Sequence, residues 1–138
     1  MIRSYTITPQ TVGIGEDLTF NVNEIATGCT VTHAAGTTTF TFNKPGFYYL
    51  TFNGVASATA AATEPIVVEI FNGATAIPGA LTSALSAAID TPTSLSITTI
   101  VQVRPSCAAI DNTVSITIRN TGIEAEYTNA VVNITKLC

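Results

Sequence analysis

The segment from Phe40 to Ser57, FTFNKPGFYYLTFNGVAS, constrains the fold more than any other part of the chain. A short apolar strand leads to a break at Lys44-Pro45-Gly46, and a long strand follows the break. Pro45 fixes its own φ angle and Gly46 tolerates a positive one, so the break predicts a tight turn. The segment is therefore predicted to form a β-hairpin around which the rest of the chain is arranged.

The second strand of this segment carries large apolar side chains on both faces. Because successive residues of a strand point to opposite faces, Phe47 and Tyr49 are expected on one side. Tyr48, Leu50 and Phe52 are expected on the other side. A strand that is apolar on both faces is a central strand with a cover on each side. One cover is the core of the domain and the other is more of this chain or another subunit, so these five residues are the predicted core and subunit contacts.

The rest of the chain alternates apolar and polar residues in short runs, which is typical of half-buried strands. Leu18, Phe20 and Val22 are expected to point inward. About eight to ten short strands with turns between them predict an all-β, antiparallel sandwich or jelly roll. The runs are Tyr5 to Thr8, Leu18 to Ile25, Cys29 to Thr32, Thr37 to Phe42, Pro65 to Phe71, Ala74 to Ile77, Thr93 to Val103, Val114 to Ile118 and Ala130 to Ile134.

Two neighbouring segments carry more specific signals. Asn72-Gly73 follows a strong strand, and both residue types accept a positive φ angle, so a two-residue hairpin turn is predicted there. From Ile77 to Ile89, apolar residues recur every four positions, which suits an amphipathic helix. An irregular loop or a short strand is the preferred interpretation of this segment, because the rest of the chain is β-structured.

The composition bears on domain number and assembly. The chain has 138 residues and no linker, so residues 1–138 are predicted to form a single domain. Charged residues make up 10% of the chain and hydrophobic residues 46%, whereas a typical domain has about 25% charged residues. Such a sparsely charged surface predicts that part of it is a subunit interface. The alternative is a stable monomer whose uncharged surface is rich in Thr, Ser and Asn.

The charge pattern excludes two classes of partner. The net charge is −4 and the five cations are scattered along the sequence, so no nucleic acid partner is expected. No membrane partner is expected either, because the chain lacks a basic amphipathic stretch. The uncharged run from Ile70 to Ile89 is rejected as a membrane span, since Asn72, Pro78 and other polar or helix-breaking residues interrupt it. The N-terminus has no apolar h-region, so no signal peptide is predicted.

No catalytic or cofactor site is predicted. His33 is the only histidine, and its position on a strand edge favours an exposed bystander over a general base. Cys29, Cys107 and Cys138 are too far apart in the sequence for a zinc site. Cys29 and Cys107 are expected to be small buried hydrophobic residues and Cys138 to be exposed. We therefore predict no enzyme activity, no cofactor and no metal.

One acidic stretch is a candidate for ligand contact. Glu124 and Glu126 lie two positions apart, so they can face the same way, and Tyr127 follows them. Tyr offers a flat apolar face to a sugar ring, and carboxylates accept hydrogen bonds from sugar hydroxyls. A solvated loop would explain the same residues. Together with Asp111 and Asn112 these carboxylates also offer oxygen ligands for calcium, but they lack the spacing of an EF-hand loop.

The spacing of Phe40, Gly46, Tyr48, Leu50 and Phe52 is similar to a motif of complement-type globular heads. Those heads share a trimeric jelly roll with the tumour necrosis factor family. The resemblance extends along the chain to Ile70-Phe71-Asn72-Gly73, Ile77-Pro78-Gly79, Asp111 to Ile116 and the closing strand from Ala130 to Leu137. These segments resemble the trimeric jelly rolls of exosporium collagen-like glycoproteins and of bacteriophage head fibres.

The resemblance implies a homotrimer with a structural or binding role. The first hypothesis is a head-fibre or capsid-decoration protein on a bacteriophage virion, seated on a capsid lattice. The second is a spore-surface or host-recognition head, on an exosporium or cell surface, that binds a receptor or a glycan. An enzyme is the least favoured of the three classes, because the sequence has one isolated histidine and no paired nucleophile or cofactor motif.

Overall fold

The structure, a computed structural model, describes residues 1–60, 64–85, 88–105 and 113–137. These residues form twelve β-strands. In chain order, β1 to β12 are Ile2–Thr6, Gln10–Val12, Glu16–Asp17, Val22–Ala26, Val31–Thr32, Phe40–Phe42, Gly46–Ala58, Ile66–Asn72, Thr75–Ala84, Thr93–Val103, Val114–Asn120 and Ala125–Lys136.

The strands make two antiparallel sheets that pack face to face. Sheet A has the order β10-β7-β12-β1-β4, and β2 also pairs with β12. Sheet B has the order β5-β6-β11-β8-β9, and β3 also pairs with β11. The predicted all-β antiparallel sandwich is confirmed, and the arrangement is consistent with a jelly roll.

Strand β7 is the longest strand of sheet A. It pairs with β10 from Gly46 to Ala56 and with β12 from Tyr48 to Ala58. Its inward side chains Tyr48, Leu50 and Phe52 have no exposed surface, as the alternation in the sequence predicts. This strand therefore supplies a continuous row of bulky groups to the core.

The core lies between the sheets and is one hydrophobic cluster. Sheet B contributes Phe40, Phe42, Ile66, Val68, Ile70, Ile116 and Ile118, and sheet A contributes Leu95, Ile97, Ala130, Val132 and Ile134 besides the β7 row. All of these side chains are buried. Each fully buried Leu, Ile, Val or Phe side chain contributes about 1.5–3 kcal/mol to folding, so this cluster is the main source of stability.

The predicted hairpin at Lys44 to Gly46 is wrong in one respect. The chain does bend at Lys44 and Pro45, and Gly46 has a φ angle of 141°. However, β6 belongs to sheet B and β7 to sheet A, so the chain crosses between sheets instead of pairing the two strands. The crossing is held by the Phe42 ring stacked 4.4 Å from the Tyr48 ring. The Tyr48 hydroxyl also donates a 2.6 Å hydrogen bond to the Lys44 carbonyl oxygen.

Two other inward assignments are wrong. Leu18 and Phe20 are fully buried, as predicted, but Val22 is 41% exposed. The reason is a change of sheet between these residues. The Leu18 amide donates a hydrogen bond to the Ile118 carbonyl oxygen of sheet B, whereas Val22 begins β4 of sheet A. The alternation of inward and outward side chains therefore does not continue from Phe20 to Val22. Cys29 is exposed because it lies in the bend before β5 and not within a strand. Cys107 and Cys138 lie outside the described residues.

The hairpin turn between β8 and β9 lies one residue later than the predicted turn at Asn72-Gly73. Asn72 pairs with Thr75, so the turn residues are Gly73 and Ala74. Gly73 has a φ angle of 60° whereas Ala74 does not have a positive φ, which is the pattern of a type II′ turn. The following segment continues as β9 to Ala84, so it is a strand and not a helix over that range. No helix in the described part of the chain is long and apolar enough to cross a membrane.

The strands leave four edges, two for each sheet. β4 and β10 border sheet A, and β5 and β9 border sheet B. β5 has two residues, β4 contains Glu24 beside a register shift, and β9 contains Pro78 and Gly79. Short length, charge, proline and bulges all hinder pairing with a foreign strand. β10 has eleven residues and none of these features.

Gly73 provides a test of the turn. Replacing Gly73 with Val places a β-branched residue at a φ angle of 60°, and this strain should lower the free energy of unfolding by about 1–2 kcal/mol. The melting temperature should fall by several degrees. Ala74→Val is the matched control in the same turn, and it should change the melting temperature much less. Equal melting temperatures for the wild type and Gly73→Val would contradict this turn.

Candidate functional site

The side of sheet A that faces away from the core is the most distinctive surface of the molecule. On β7 it carries Phe47 and Tyr49, which alternate with the buried Tyr48 and Leu50. Phe47 is 43% exposed and Tyr49 is 41% exposed. Both side chains of the predicted subunit contact are therefore large, aromatic and accessible to solvent in the single chain.

Neighbouring strands extend this apolar surface. Tyr49 pairs with Ile100 of β10 on one side and with Thr135 of β12 on the other. Ile100 is 56% exposed. Leu137 is 53% exposed, and its amide donates a 2.8 Å hydrogen bond to the Phe47 carbonyl oxygen. We call Phe47, Tyr49, Ile100 and Leu137 the apolar patch of sheet A. Contiguous exposed patches of this kind mark sites of association.

The other half of the same face is polar. A shallow concavity of about 210 Å³ is lined by hydroxyl, amide and small apolar groups from three strands. Its polar lining residues are Asn53, Ser94, Ser96 and Asn129. The Ser96 hydroxyl donates a 3.1 Å hydrogen bond to Oδ1 of Asn53. β12 changes register between Tyr127 and Asn129 beside this concavity. This half offers hydrogen-bonding groups without a full charge.

The outer face of sheet B has a different chemistry. It presents Thr41 opposite Ser115, and Arg119 opposite Glu69. The Arg119 guanidinium lies 4.2 Å from the centre of the Phe71 ring and covers it. This face therefore covers its Phe71 ring with a cation. On sheet A, the Arg3 guanidinium lies 5.7 Å from the centre of the Tyr5 ring, but Phe47 and Tyr49 are open to solvent.

The three predicted ligand-contact residues occupy different environments. Glu124 is exposed just before β12, and its Oε1 accepts a 2.9 Å hydrogen bond from the Thr59 hydroxyl. Glu126 is half-buried on the outer side of sheet A. Tyr127 has no exposed surface and donates a 3.2 Å hydrogen bond to Oδ1 of the buried Asn120. Burial raises the pKa of the Tyr127 hydroxyl well above its usual value.

The burial of Tyr127 follows from strand parity. Ala125 and Tyr127 point into the core, so the intervening Glu126 points outward. The Tyr127 ring is therefore not available to a sugar, and this part of the predicted contact is corrected. Glu124 and Glu126 stay as candidates for ligand contact.

His33 is a structural residue and not an exposed bystander. Its ring stacks at 4.2 Å on the Phe40 ring. Its Nδ1 lies 2.7 Å from Oδ1 of Asn23, and its Nε2 lies 3.0 Å from the Thr37 carbonyl oxygen. Asn23 is on β4 of sheet A, whereas Thr37 precedes β6 of sheet B, so His33 joins the two sheets along one side of the sandwich.

No group of three or more His, Cys, Asp or Glu side chains is placed to hold a metal ion within residues 1–60, 64–85, 88–105 and 113–137. Asp111 and Asn112, which were considered as calcium ligands, lie outside these residues. Sequence reasoning missed the polar concavity of sheet A, because its residues come from three strands that only the register brings together.

Comparison with solved structures agrees with this architecture. PRD1 vertex protein P5 superposes with a TM-score of 0.56 at 12% sequence identity, over 95% of this chain and 93% of that one. The two chains share a fold. At the level of sequence, no family model and no curated protein matches the chain.

The environment of His33 predicts a pH dependence of stability. Burial lowers the pKa of His33 below the usual value of 6.5, and the hydrogen bond to Thr37 opposes this effect only partly. The unfolded chain therefore binds a proton more readily than the folded chain between the lowered pKa and 6.5. The contribution of neutral His33 to the free energy of unfolding is fully present above pH 6.5. It should be lost as the pH falls through the pKa that His33 has in the folded chain.

Urea titrations between about pH 7 and pH 5 measure this contribution, since carboxylates titrate mostly below that range. The free energy of unfolding of the wild type should decrease over this interval. His33→Gln keeps a polar side chain that does not titrate, and its free energy of unfolding should change less with pH. Identical slopes for the two proteins would show that His33 does not titrate differently on folding.

Proposed function

We propose that this chain is a non-enzymatic structural protein of a bacteriophage virion, a head fibre or capsid decoration that assembles as a homotrimer of tumour-necrosis-factor-like jelly rolls. The observation that carries the proposal is the apolar patch of sheet A. Four large side chains between 41% and 56% exposed lie together on a rigid sheet. Removing such side chains from water contributes about 25 cal/mol for each Å² of apolar surface, which favours burial in an interface.

The geometry of the patch supports association between copies of the chain. It lies on a paired sheet whose opposite side is the core, so the backbone beneath it is already ordered. An interface of this kind forms with little loss of conformational entropy. Asn53, Ser96 and Asn129 on the polar half can supply the hydrogen bonds that accompany an apolar interface.

The number of subunits and the location rest on two further considerations. The resemblance of the segment from Phe40 to Phe52 to the complement-type motif favours three copies about one axis. The shared fold with a protein named as a vertex protein favours a place on the outside of a virion. A structural role of this kind depends on shape and surface chemistry and requires no catalytic residues.

Light scattering on a sizing column tests the assembly. The wild type should have about three times the chain mass of 14.3 kDa at micromolar concentration. Tyr49→Lys places a charge within the apolar patch and should shift the mass towards that of a single chain, because three buried unpaired cations are strongly unfavourable.

Leu81→Lys is the matched control for this experiment. Leu81 is 50% exposed on β9 of sheet B, opposite Glu69, so a lysine there stays in solvent beside a carboxylate. Leu81→Lys should keep the wild-type mass. A wild type that runs as a single chain would remove the trimer, and a trimeric Tyr49→Lys would remove the patch from the interface. Mass spectrometry of purified virions from the source should detect the chain as a stoichiometric component.

The alternative function is a spore-surface or host-recognition head that binds a receptor or a glycan. Glu124 is the observation in its favour, since this exposed carboxylate lies on the loop end of the sandwich beside Thr59. A glycan array with the wild type and a Glu124→Ala, Glu126→Ala double variant tests this role. Binding that the double variant loses would support the alternative, and binding that it keeps would place the site elsewhere. The virion role predicts no binding by either protein.

A further inference from the structure

Two of the five cationic side chains form ion pairs in the structure. Arg3 forms an ion pair with Glu24, and Arg119 forms one with Asp17 at 2.8 Å. The other three cations, Lys44, Arg104 and Lys136, have no ion pair within the described part of the chain. No carboxylate of the described residues therefore neutralises these three charges.

These three unpaired cations lie at one end of the sandwich, although they are up to 92 positions apart in sequence. The start of β7 brings them together. Lys44 precedes Gly46 by two residues, Arg104 follows Val103, which pairs with Gly46, and Lys136 pairs with Tyr48. We call Lys44, Arg104 and Lys136 the basic end.

Carboxylates gather at the opposite end of β7. Glu126 pairs with Ser57, and Glu124 precedes Ala125, which pairs with Ala58. The Asp90 amide donates a 3.1 Å hydrogen bond to the Ala58 carbonyl oxygen. Glu64 is adjacent to Pro65, whose carbonyl oxygen accepts a hydrogen bond from the amide of Ile123, next to Glu124. We call Glu64, Asp90, Glu124 and Glu126 the acidic end.

The two ends are well separated. The paired positions that define the two ends, Gly46 to Tyr48 and Ser57 to Ala58, are separated along β7 by about 30–40 Å, because a strand rises about 3.3 Å for each residue. This distance is several Debye lengths at physiological salt, and each end therefore acts electrostatically on its own partner. The net charge of −4 conceals this division because it sums over both ends.

We propose that the basic end docks on an acidic protein surface of the virion, with the acidic end directed outward. This inference rests on the proposed virion role and adds the chemistry of the partner and the orientation of the molecule. Three cations supply a few salt bridges at the rim of a protein interface, where they direct orientation and speed association. A nucleic acid would need a broader basic surface, and an anionic membrane would need a larger basic cluster.

The test compares three proteins on purified virions. The first is the wild type, and the second carries Lys44→Gln, Arg104→Gln and Lys136→Gln. The third is a matched control that removes three charges of the opposite sign, by Glu64→Gln, Asp90→Asn and Glu126→Gln. Asn suits the control because Asp90 has a φ angle of 60°, a conformation that Asn tolerates. Circular dichroism and light scattering verify that each protein folds and assembles as the wild type does.

Retention on virions is measured by immunoblot after washes of increasing salt. The wild type should be retained at about 0.15 M salt and released progressively above it, because salt screens exposed charges. The triple glutamine variant should be retained about tenfold less at that salt concentration, given the usual strength of three exposed ion pairs. The acidic-end control should be retained as well as the wild type.

Each outcome has a distinct meaning. Equal retention of the glutamine variant and the wild type would contradict docking through the basic end and leave the virion role intact. Absence of the wild type from virions would contradict the virion role itself. Release by nuclease would show a nucleic acid partner, and release by detergent a lipid partner; either result would overturn the acidic protein surface. If the triple variant fails to assemble, Lys44→Gln and Arg104→Gln are compared singly, and unchanged retention of both would again contradict the proposal.

Discussion

The pairing of β7 with β10 on one side and β12 on the other is the interaction on which the rest of this structure depends. Each pairing extends over eleven residues of β7, so the strand is fixed along nearly its whole length. Its inward row fills the core with Tyr48, Leu50 and Phe52. Its outward row begins the apolar patch of sheet A. The same strand thus determines both what is buried in the core and which aromatic side chains are exposed to solvent.

The sequence predicts this part of the fold well because the information is local. Alternation along a strand depends only on neighbouring residues, so the two faces of β7 and the bounds of β10, Thr93–Val103, are read directly from the chain. The inward set of Ala130, Val132 and Ile134 on β12 is confirmed for the same reason. For these residues, burial follows from the alternation of apolar and polar residues along the strand.

Two of the errors arise where the chain moves between sheets. A turn such as Lys44 to Gly46 has the same sequence signature whether its two strands pair or lie on opposite sides of a core. The Phe42–Tyr48 ring stack decides between these outcomes, and it is a contact across the core. Val22 is exposed because the backbone changes sheets after Phe20. The candidate surfaces could not be predicted from the sequence for a similar reason. Lys44, Arg104 and Lys136 are far apart in the sequence, and only the register of β7 with β10 and β12 brings them to one end of the sandwich.

The edge of β10 that pairs with no described strand has a consequence for aggregation of the newly synthesised chain. Apart from β7, no strand in the described ranges pairs with β10, and its sequence contains no Pro, Gly or charged residue. Every second residue of such an edge directs its N–H and C=O groups away from the sheet. In a single folded chain this edge therefore offers backbone groups with which another strand can pair. The assembly proposed above would compete with such pairing, so the chain concentration and the rate of encounter would affect how much of the protein stays in solution.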